Sequence, residues 1–573
     1  MDSTAGFGPA DGGSNPPGPI KMYAIEKIQE KIKEEIAKVL DIKEETIRAN
    51  IFSEFGDFSV PLFKISKQKN ISMQDLEKIL REKIKMDIFE RFTFDNGYIN
   101  FYLNTSAFIK LVFEDFEKLK ENYGKASIGK GKTIIIDYSS PNIGKPLSIA
   151  HLRSTIIGDS LYRIFNFLGY KVIRINHLGD WGLQYGQLIY AYKHWLNKKN
   201  FKKNPIKELL RLYVKFNEKA SKDPSLAEEA KKIFAELEKG NKELIKIWKI
   251  LRDISLREFK KIYNLLGVEF DYYLGESFYV KEARKIIEET KEKGIAKEKN
   301  GLVLIELPNL TPLIIQKSDE STLYATRDIA AVKYRLKRWN PEQILYIVGS
   351  DQKLYFQQLF SAFKLLGYHG NYKHINFGLI LLKEKLSTRK GRIIFLEDVI
   401  KEAIQKAKSL IKIKISKRKK EEIAKKIGIG SIKFNDLSQD RIKDVEFSFK
   451  KILNMQGKSC PYILYTYVRA ISVLKKAKKI KKTKPLFKQK EEIELIKKLS
   501  LFPEIIKESA KTYQPYLLAN YLYEVSKDFH KFYETLPILK AKERDSRLLL
   551  VKFTATVIKN GLYLLGIETV DKM

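Results

Sequence analysis

The chain has 573 residues, with 107 Lys and Arg against 70 Asp and Glu, a net charge of +37, and 44% hydrophobic residues. That length exceeds one domain, that apolar content can build several cores, and the single cysteine, Cys460, excludes a disulfide framework and a Cys-rich zinc site. With no run of 18 apolar residues and no basic, apolar leader, the expectation is a cytoplasmic protein whose charge favours nucleic acid over membrane.

Residues 1–20 hold five Gly, four Pro and no Lys, unlike the Lys- and Ile-rich body, and read as a disordered tail or a cloning scar. Residues 21–40 carry apolar side chains at helical spacing, and GYINFYLN at 97–104 reads as a strand, so a small α/β domain is expected over 21–125. From 133, TIIIDYSS is a buried strand, SPNIGKP a turn, SIAHLRSTIIGDSLYRIFNFLG a helix closed by Gly169, and KVIRINHLG a second strand. This βαβ unit opens an α/β domain over 126–400, interrupted by a charged helical insertion at about 190–300. After 400 nearly every segment has helical spacing.

The charge is unevenly placed. Residues 401–490 hold 27 Lys and Arg against 7 Asp and Glu, a net +20, with runs at 411–420 (IKIKISKRKK) and 475–484 (KKAKKIKKTK). Each run alone could be a solvated helix face. Together they favour a polyanion track beside a helical bundle.

In a parallel α/β sheet, ligands bind at the carboxyl ends of the strands. Here that end carries Ser139, Asn142, Lys145, Ser148, His151 and Arg153. A helix N-terminus with a lysine and a histidine suits phosphate. A GxxxxGK(S/T) loop and a GxGxxG turn are both absent, which argues against a P-loop nucleotide site and a dinucleotide oxidoreductase. Tyr324 and Asp328 lie four apart on a predicted helix and share a face. Tyr462, Tyr465 and Arg469 stand at i, i+3 and i+7 on another. There they could stack on splayed bases or pack in a core.

DYSSPNIGKPLSIAHLRSTIIGD followed by NHLGDWGLQYG at 176–186 resembles the catalytic core of arginyl-tRNA synthetases, class I enzymes with a Rossmann-type site. SIAH at 148–151 stands where the class has His-Ile-Gly-His, with Ser148 for the first His and Ala150 for the Gly. FDYYLGESFY, STLYATRDIAA, IVGSDQKLYFQQL, LSTRKG, NDLSQDRIKD, PYILYTYVRA and the closing GLYLLGIETVDKM follow in the family's order, so the resemblance covers about 21–573.

The resemblance implies an α/β protein. A Rossmann-type doubly wound catalytic domain would lie between a small α/β tRNA-binding domain and an all-α anticodon-binding bundle at 401–573. It implies ATP as substrate with Mg²⁺ on its phosphates, no zinc, and L-arginine and tRNA(Arg) as partners of a monomer. His151, with Ser148, Ala150 and Arg153, would hold ATP. Lys145 would take over from the displaced signature lysine, and Lys390 in LSTRKG is a further catalytic candidate, or else a loop cation that steers ATP or tRNA. Asp328 and Glu276 would pair with the arginine guanidinium beside Tyr324, while Ser139, Asn142 and Gln352 hold its amino and carboxylate end. Tyr462, Tyr465 and Arg469 would meet the anticodon. A synthetase for another amino acid is opposed by the acidic pair. A weakened paralogue that only binds RNA draws on the altered SIAH and LSTRKG signatures.

Overall fold

The β-branched run Thr133–Asp137 forms the central strand of a five-stranded parallel sheet. The computed structural model describes residues 22–53, 55–318, 321–382, 394–481 and 483–573, so the expectations for 1–20 and for LSTRKG, with Lys390, lie outside the described residues. Strand order across the sheet is Tyr372–His374, Gln343–Tyr346, Thr133–Asp137, Lys171–Asn176, Tyr272–Tyr273. Alternate side chains of the central strand leave on opposite faces. Ile134 and Ile136 join a core with Leu152 and Ile156 of the helix Ala150–Phe167, whereas Ile135 joins one with Ile329 of the helix Tyr324–Trp339. Burying each such side chain contributes roughly 2–3 kcal/mol. The sheet is covered on both faces, which is why the strand interior, Ile134 to Ile136, is continuously apolar. The chain leaves the central strand toward Lys171–Asn176 and later returns on its other side as Gln343–Tyr346. A crevice opens at the carboxyl ends of these strands, at the topological switch point.

A helical insertion follows the second strand: Leu183–Trp195, Lys198–Lys203, Pro205–Ala220, Ser225–Glu238 and Lys242–Leu266. Asn204 caps the third of these by accepting Lys207 N–H, and Pro205 opens it. The insertion buries a core of its own around Leu209, Leu212, Phe216 and Leu251. Its helices end earlier than expected, at Gly267 in a left-handed cap (φ 63°). The segment expected to stay helical to about 300 instead contributes the edge strand Tyr272–Tyr273, then the helix Glu276–Glu292. Next comes a three-stranded antiparallel sheet of Ala296–Lys299, Leu302–Leu307 and Leu310–Gln316. Gly301 sits in a left-handed turn (φ 74°) between the first two strands, and the strand after it, LVLIEL, is almost continuously apolar.

Before residue 105 a four-stranded antiparallel sheet packs with the helix Ala24–Leu40, its hairpin turning at Asn96 and Gly97 with φ of 47° and 77°. The last part of the chain is a bundle that includes Lys417–Leu437, Cys460–Ala477, Pro515–Thr535 and Arg544–Leu564. Phe116, on the helix Thr105–Leu119, stacks on Phe553 of the bundle at 4.3 Å between ring centres. Among the described residues no helix is long and apolar enough to cross a membrane.

Candidate active site

Two consecutive serines, Ser139 and Ser140, leave the central strand with φ of 70° and 44°. That left-handed conformation costs a non-glycine residue about 1–2 kcal/mol. Local bonds offset it. Ser139 N–H donates to Ser154 Oγ at 2.8 Å, and Ser140 Oγ donates to Asp137 Oδ1 at 2.9 Å. Ser139 lines the cavity, and its Oγ lies 2.8 Å from the hydroxyl of Tyr263 on an insertion helix, which shapes the loop. Asn142, exposed, bridges in register with Gly179; a Cβ at Gly179 would lie 1.8 Å from Asn142 Oδ1. The absent side chain at Gly179 is what lets Asn142 lie across that backbone.

These turns rim a cavity of about 600 Å³ at the switch point. Of the expected nucleotide residues, Ala150 and His151 line it. His151 Nδ1 accepts from Ser148 N–H at 3.2 Å and lies 3.0 Å from Ser148 Oγ. With Nδ1 as acceptor, the imidazole proton belongs on Nε2, which leaves a neutral ring with one donor. Burial lowers the His151 pKa, and the charge of Lys145 lowers it further. Ser148 thus acts through His151, fixing its tautomer. Lys145 does not line the cavity; its ammonium sits 3.7 Å from the centre of the Tyr213 ring.

Arg153 departs from expectation. It is 1% exposed and does not face the cavity. Its Nε lies 2.9 Å from Asp436 Oδ2 in the helix Lys417–Leu437, and Nη1 donates to Lys443 O at 2.9 Å. On the helix Ala150–Phe167, His151 and Arg153 are two residues apart, about 200° around the axis. One reaches the cavity and the other the bundle.

The opposite wall is acidic. Asp328, on the first turns of Tyr324–Trp339, accepts a hydrogen bond from Tyr355 OH, and its Oδ1 lies 3.3 Å from His177 Nε2. Burial pushes its carboxyl up, but His177, Tyr355 and the nearby Arg335 pull harder, and the net shift is downward. His177 is the mirror image: burial pulls it down, Asp328 and Asp137 pull it up, and the net shift is upward. Glu276 also lines the cavity, but one oxygen, Oε2, is held by Arg327 at 2.6 and 2.7 Å. Burial raises its pKa despite that cation. Tyr324, 53% exposed, stands edge-on to Tyr355 at 5.0 Å and forms a lip with the exposed Gln352.

Asp328 is therefore the carboxylate held ionised at the cavity. Its partners His177 and Tyr355 were not among the expected site residues. His177 was visible as one of six histidines, close after the second strand. Tyr355 lies 27 residues from Asp328 on another helix, and no spacing rule connects them.

Far from this cavity, Tyr462, Tyr465 and Arg469 share one face of Cys460–Ala477, all half-buried. They gather on His530 of Pro515–Thr535. Arg469 Nη1 donates to His530 Nδ1 at 2.9 Å, Nη2 donates to Tyr465 OH at 2.9 Å, and the guanidinium stacks 4.7 Å from the Tyr533 ring centre. Thr466 Oγ1 lies 2.9 Å from His530 Nε2. Burial first, then Arg469, lowers the His530 pKa to about 4. The neutral ring is therefore the one the cluster holds. Its contribution to stability is complete above about pH 6.5 and falls as pH drops toward 4, because the unfolded chain binds the proton more tightly. Thermal melts at pH 7 and 4.5 should show a larger acid loss in the wild type than in His530→Gln; equal losses would refute this. Lys475 and Lys476 in the last turn of the same helix, and the lysines at 478, 479 and 481 just beyond it, are exposed.

Comparison with known proteins gives a consistent set of matches. The family described as tRNA synthetases class I (R), catalytic domain, matches residues 117–449. The DALR anticodon binding domain matches 463–573, and the arginyl tRNA synthetase N terminal domain matches 26–103. An arginine–tRNA ligase of Clostridium kluyveri is 42% identical over 558 residues, 95% of this chain and 99% of that protein. One of Clostridium perfringens is 42% identical over 559 residues, with the same coverage. The solved arginyl-tRNA synthetase of Plasmodium falciparum superposes with a TM-score of 0.78 at 27% identity, covering 97% of this chain and all of that one. That of Thermus thermophilus, at 21% identity, shares the fold with a TM-score of 0.80 over 95% and 100%.

Proposed function

Because the chain belongs to the arginyl-tRNA synthetase family of class I aminoacyl-tRNA synthetases, we propose that the switch-point cavity binds arginine through Asp328 and ATP through the His151 turn. The activity is arginine–tRNA ligation. An arginine carboxylate oxygen attacks the α-phosphorus of ATP, the bond to pyrophosphate breaks, and arginyl-adenylate forms. A terminal ribose hydroxyl of tRNA(Arg) then attacks the arginyl carbonyl and releases AMP.

The observation that carries the site assignment is Asp328, an ionised carboxylate facing the cavity with Tyr355 and His177 holding its geometry. A guanidinium is planar, permanently charged and built to pair with such a group. Glu276, balanced by Arg327, adds a second acceptor. Tyr324 closes over the guanidinium, and Asn142 and Gln352 take the amino and carboxylate end. On the other side, His151 donates from Nε2 to ATP phosphate, beside the positive end of the helix Ala150–Phe167, which carries no side-chain cap. Lys145 supplies a mobile cation there, and Ala150 packs under the nucleotide. Such groups work by positioning and by stabilising charge that grows in the transition state. Mg²⁺, arriving with ATP, neutralises phosphate charge; this chain's own groups facing the phosphates are donors and cations, which fit a bound polyanion.

In this reading residues 126–400 carry the chemistry, while 21–125 and 401–573 grip the tRNA. The basic runs follow the backbone, and Tyr462, Tyr465 and Arg469 meet the anticodon. The same reading places the chain in the cytoplasm as a monomer. Arginine-dependent exchange of pyrophosphate into ATP, with and without tRNA(Arg), tests it. Exchange should require arginine, and no exchange by folded protein in either condition would refute the assignment.

A further inference from the structure

The loop that carries Lys145 is held from the side by the helical insertion, at three points on three helices. Gly144 N–H donates to Ser255 Oγ at 2.8 Å; Ser255, fully buried on Lys242–Leu266, donates in turn to Leu251 O at 2.7 Å. Gly144 has a φ of 83°, and a Cβ there would come within 2.6 Å of Leu188 on Leu183–Trp195, so backbone and helix meet closely. The third contact is Tyr213 on Pro205–Ala220, whose ring centre lies 3.7 Å from the Lys145 ammonium.

The first two contacts fix the backbone of the loop. They do not fix the far end of a four-carbon lysine stem, which has several rotamers of similar energy. The electron-rich face of Tyr213 does, because a cation over an aromatic face is attracted by the ring quadrupole. From that position the Lys145 charge already reaches the cavity, since it acts on His151.

We propose that Tyr213 is a positioning residue for the ligation reaction: its ring parks the Lys145 ammonium just outside the cavity, on the His151 side, from where it turns to the ATP phosphates. This rests on the reading of Lys145 as the phosphate-side cation. It gives the insertion a catalytic purpose, since the group that organises the phosphate side comes from a helix 60 or more residues further along the chain.

The test uses the full chain and steady-state pyrophosphate exchange. Tyr213→Leu removes the ring, and Tyr213→Phe keeps its face and loses only the hydroxyl. Tyr213→Leu should lower kcat about tenfold with the KM for arginine within about twofold, and Tyr213→Phe should keep at least about half of the wild-type kcat. In a Lys145→Ala background the Leu substitution should change kcat by less than about twofold, because the two groups act as one unit. A wild-type kcat in Tyr213→Leu, an equal loss in Tyr213→Phe, or the same loss in both backgrounds would each overturn the proposal. If Lys145→Ala alone matches wild type, the reading of Lys145 falls and the inference with it. If Lys145→Ala is impaired and Tyr213→Leu is not, only the inference falls.

Discussion

Replacing Asp328 with asparagine should lower kcat/KM for arginine by about 10²–10³-fold, chiefly through KM, with the KM for ATP within about twofold of wild type. Asparagine keeps the shape and can still accept from Tyr355, so the loss isolates the charge. The guanidinium would then enter a cavity where Glu276 is already engaged by Arg327 and Asp137 by Arg335, with Asp351 as the other lining acid. A desolvated cation without its partner costs several kcal/mol, which is the origin of the large factor. The same change removes one of the two acids that raise the His177 pKa, the other being Asp137. The His177 pKa, followed by NMR, should therefore fall in the variant. Wild-type Asp328 has a folded pKa below its unfolded value, so its contribution holds above the ordinary carboxylate range and is lost only as pH falls through the lowered value. Unchanged arginine use in the variant would remove Asp328 from the pocket.

Arg153→Met should destabilise the protein by about 3–5 kcal/mol, with little change in the KM for ATP. The guanidinium is sealed between the catalytic helix and the bundle, with Asp436 itself only 3% exposed. Burial pushes the Asp436 carboxyl up even with Arg153 beside it, so loss of the cation leaves an acid that takes up a proton to stay buried. The Phe377 ring, 5.7 Å from the guanidinium, loses a neighbour as well. The double replacement Arg153→Met with Asp436→Leu should recover most of the stability, because the buried carboxyl goes with its partner and only the bond to Lys443 O, on an exposed residue, is lost. Urea denaturation and ATP kinetics on the same three proteins decide it. A stable Arg153→Met with a raised KM for ATP would return Arg153 to the nucleotide site and contradict the structure.

What could be read from the sequence follows the range of the interactions involved. The central strand, the crossover turn and the helix after it are written in short-range chemistry: β-branched residues, then Pro, Asn and Gly, then apolar spacing of 3.6. The expected residues Ser139, Asn142, Ala150, His151, Glu276, Tyr324, Asp328 and Gln352 all reach one cavity, although they come from segments spread over some 200 residues. That convergence was carried by the family resemblance, since no spacing rule joins position 142 to 352. Neither short-range reasoning nor the resemblance reached side-chain direction. Arg153 stands two residues from His151, yet its partner Asp436 lies 283 positions on. Ser139 was legible as a loop residue but not as the inward neighbour of Tyr263. His530, which organises Tyr462, Tyr465 and Arg469, carries no signal in a helix of ordinary amphipathic pattern. The three-stranded sheet at 296–316 begins near the expected end of the insertion, and the charges of Lys297, Glu298 and Lys299 hid only its first strand.

The central claim is that the switch-point cavity selects a guanidinium and ligates its owner to tRNA. The most direct measurement is charging of tRNA(Arg) by the purified full chain with labelled arginine and, in parallel, labelled citrulline, which matches arginine in shape and lacks its charge. Charging with arginine and none above background with citrulline is the expected result. Equal charging of the two, or no charging of either by folded protein, would contradict the account.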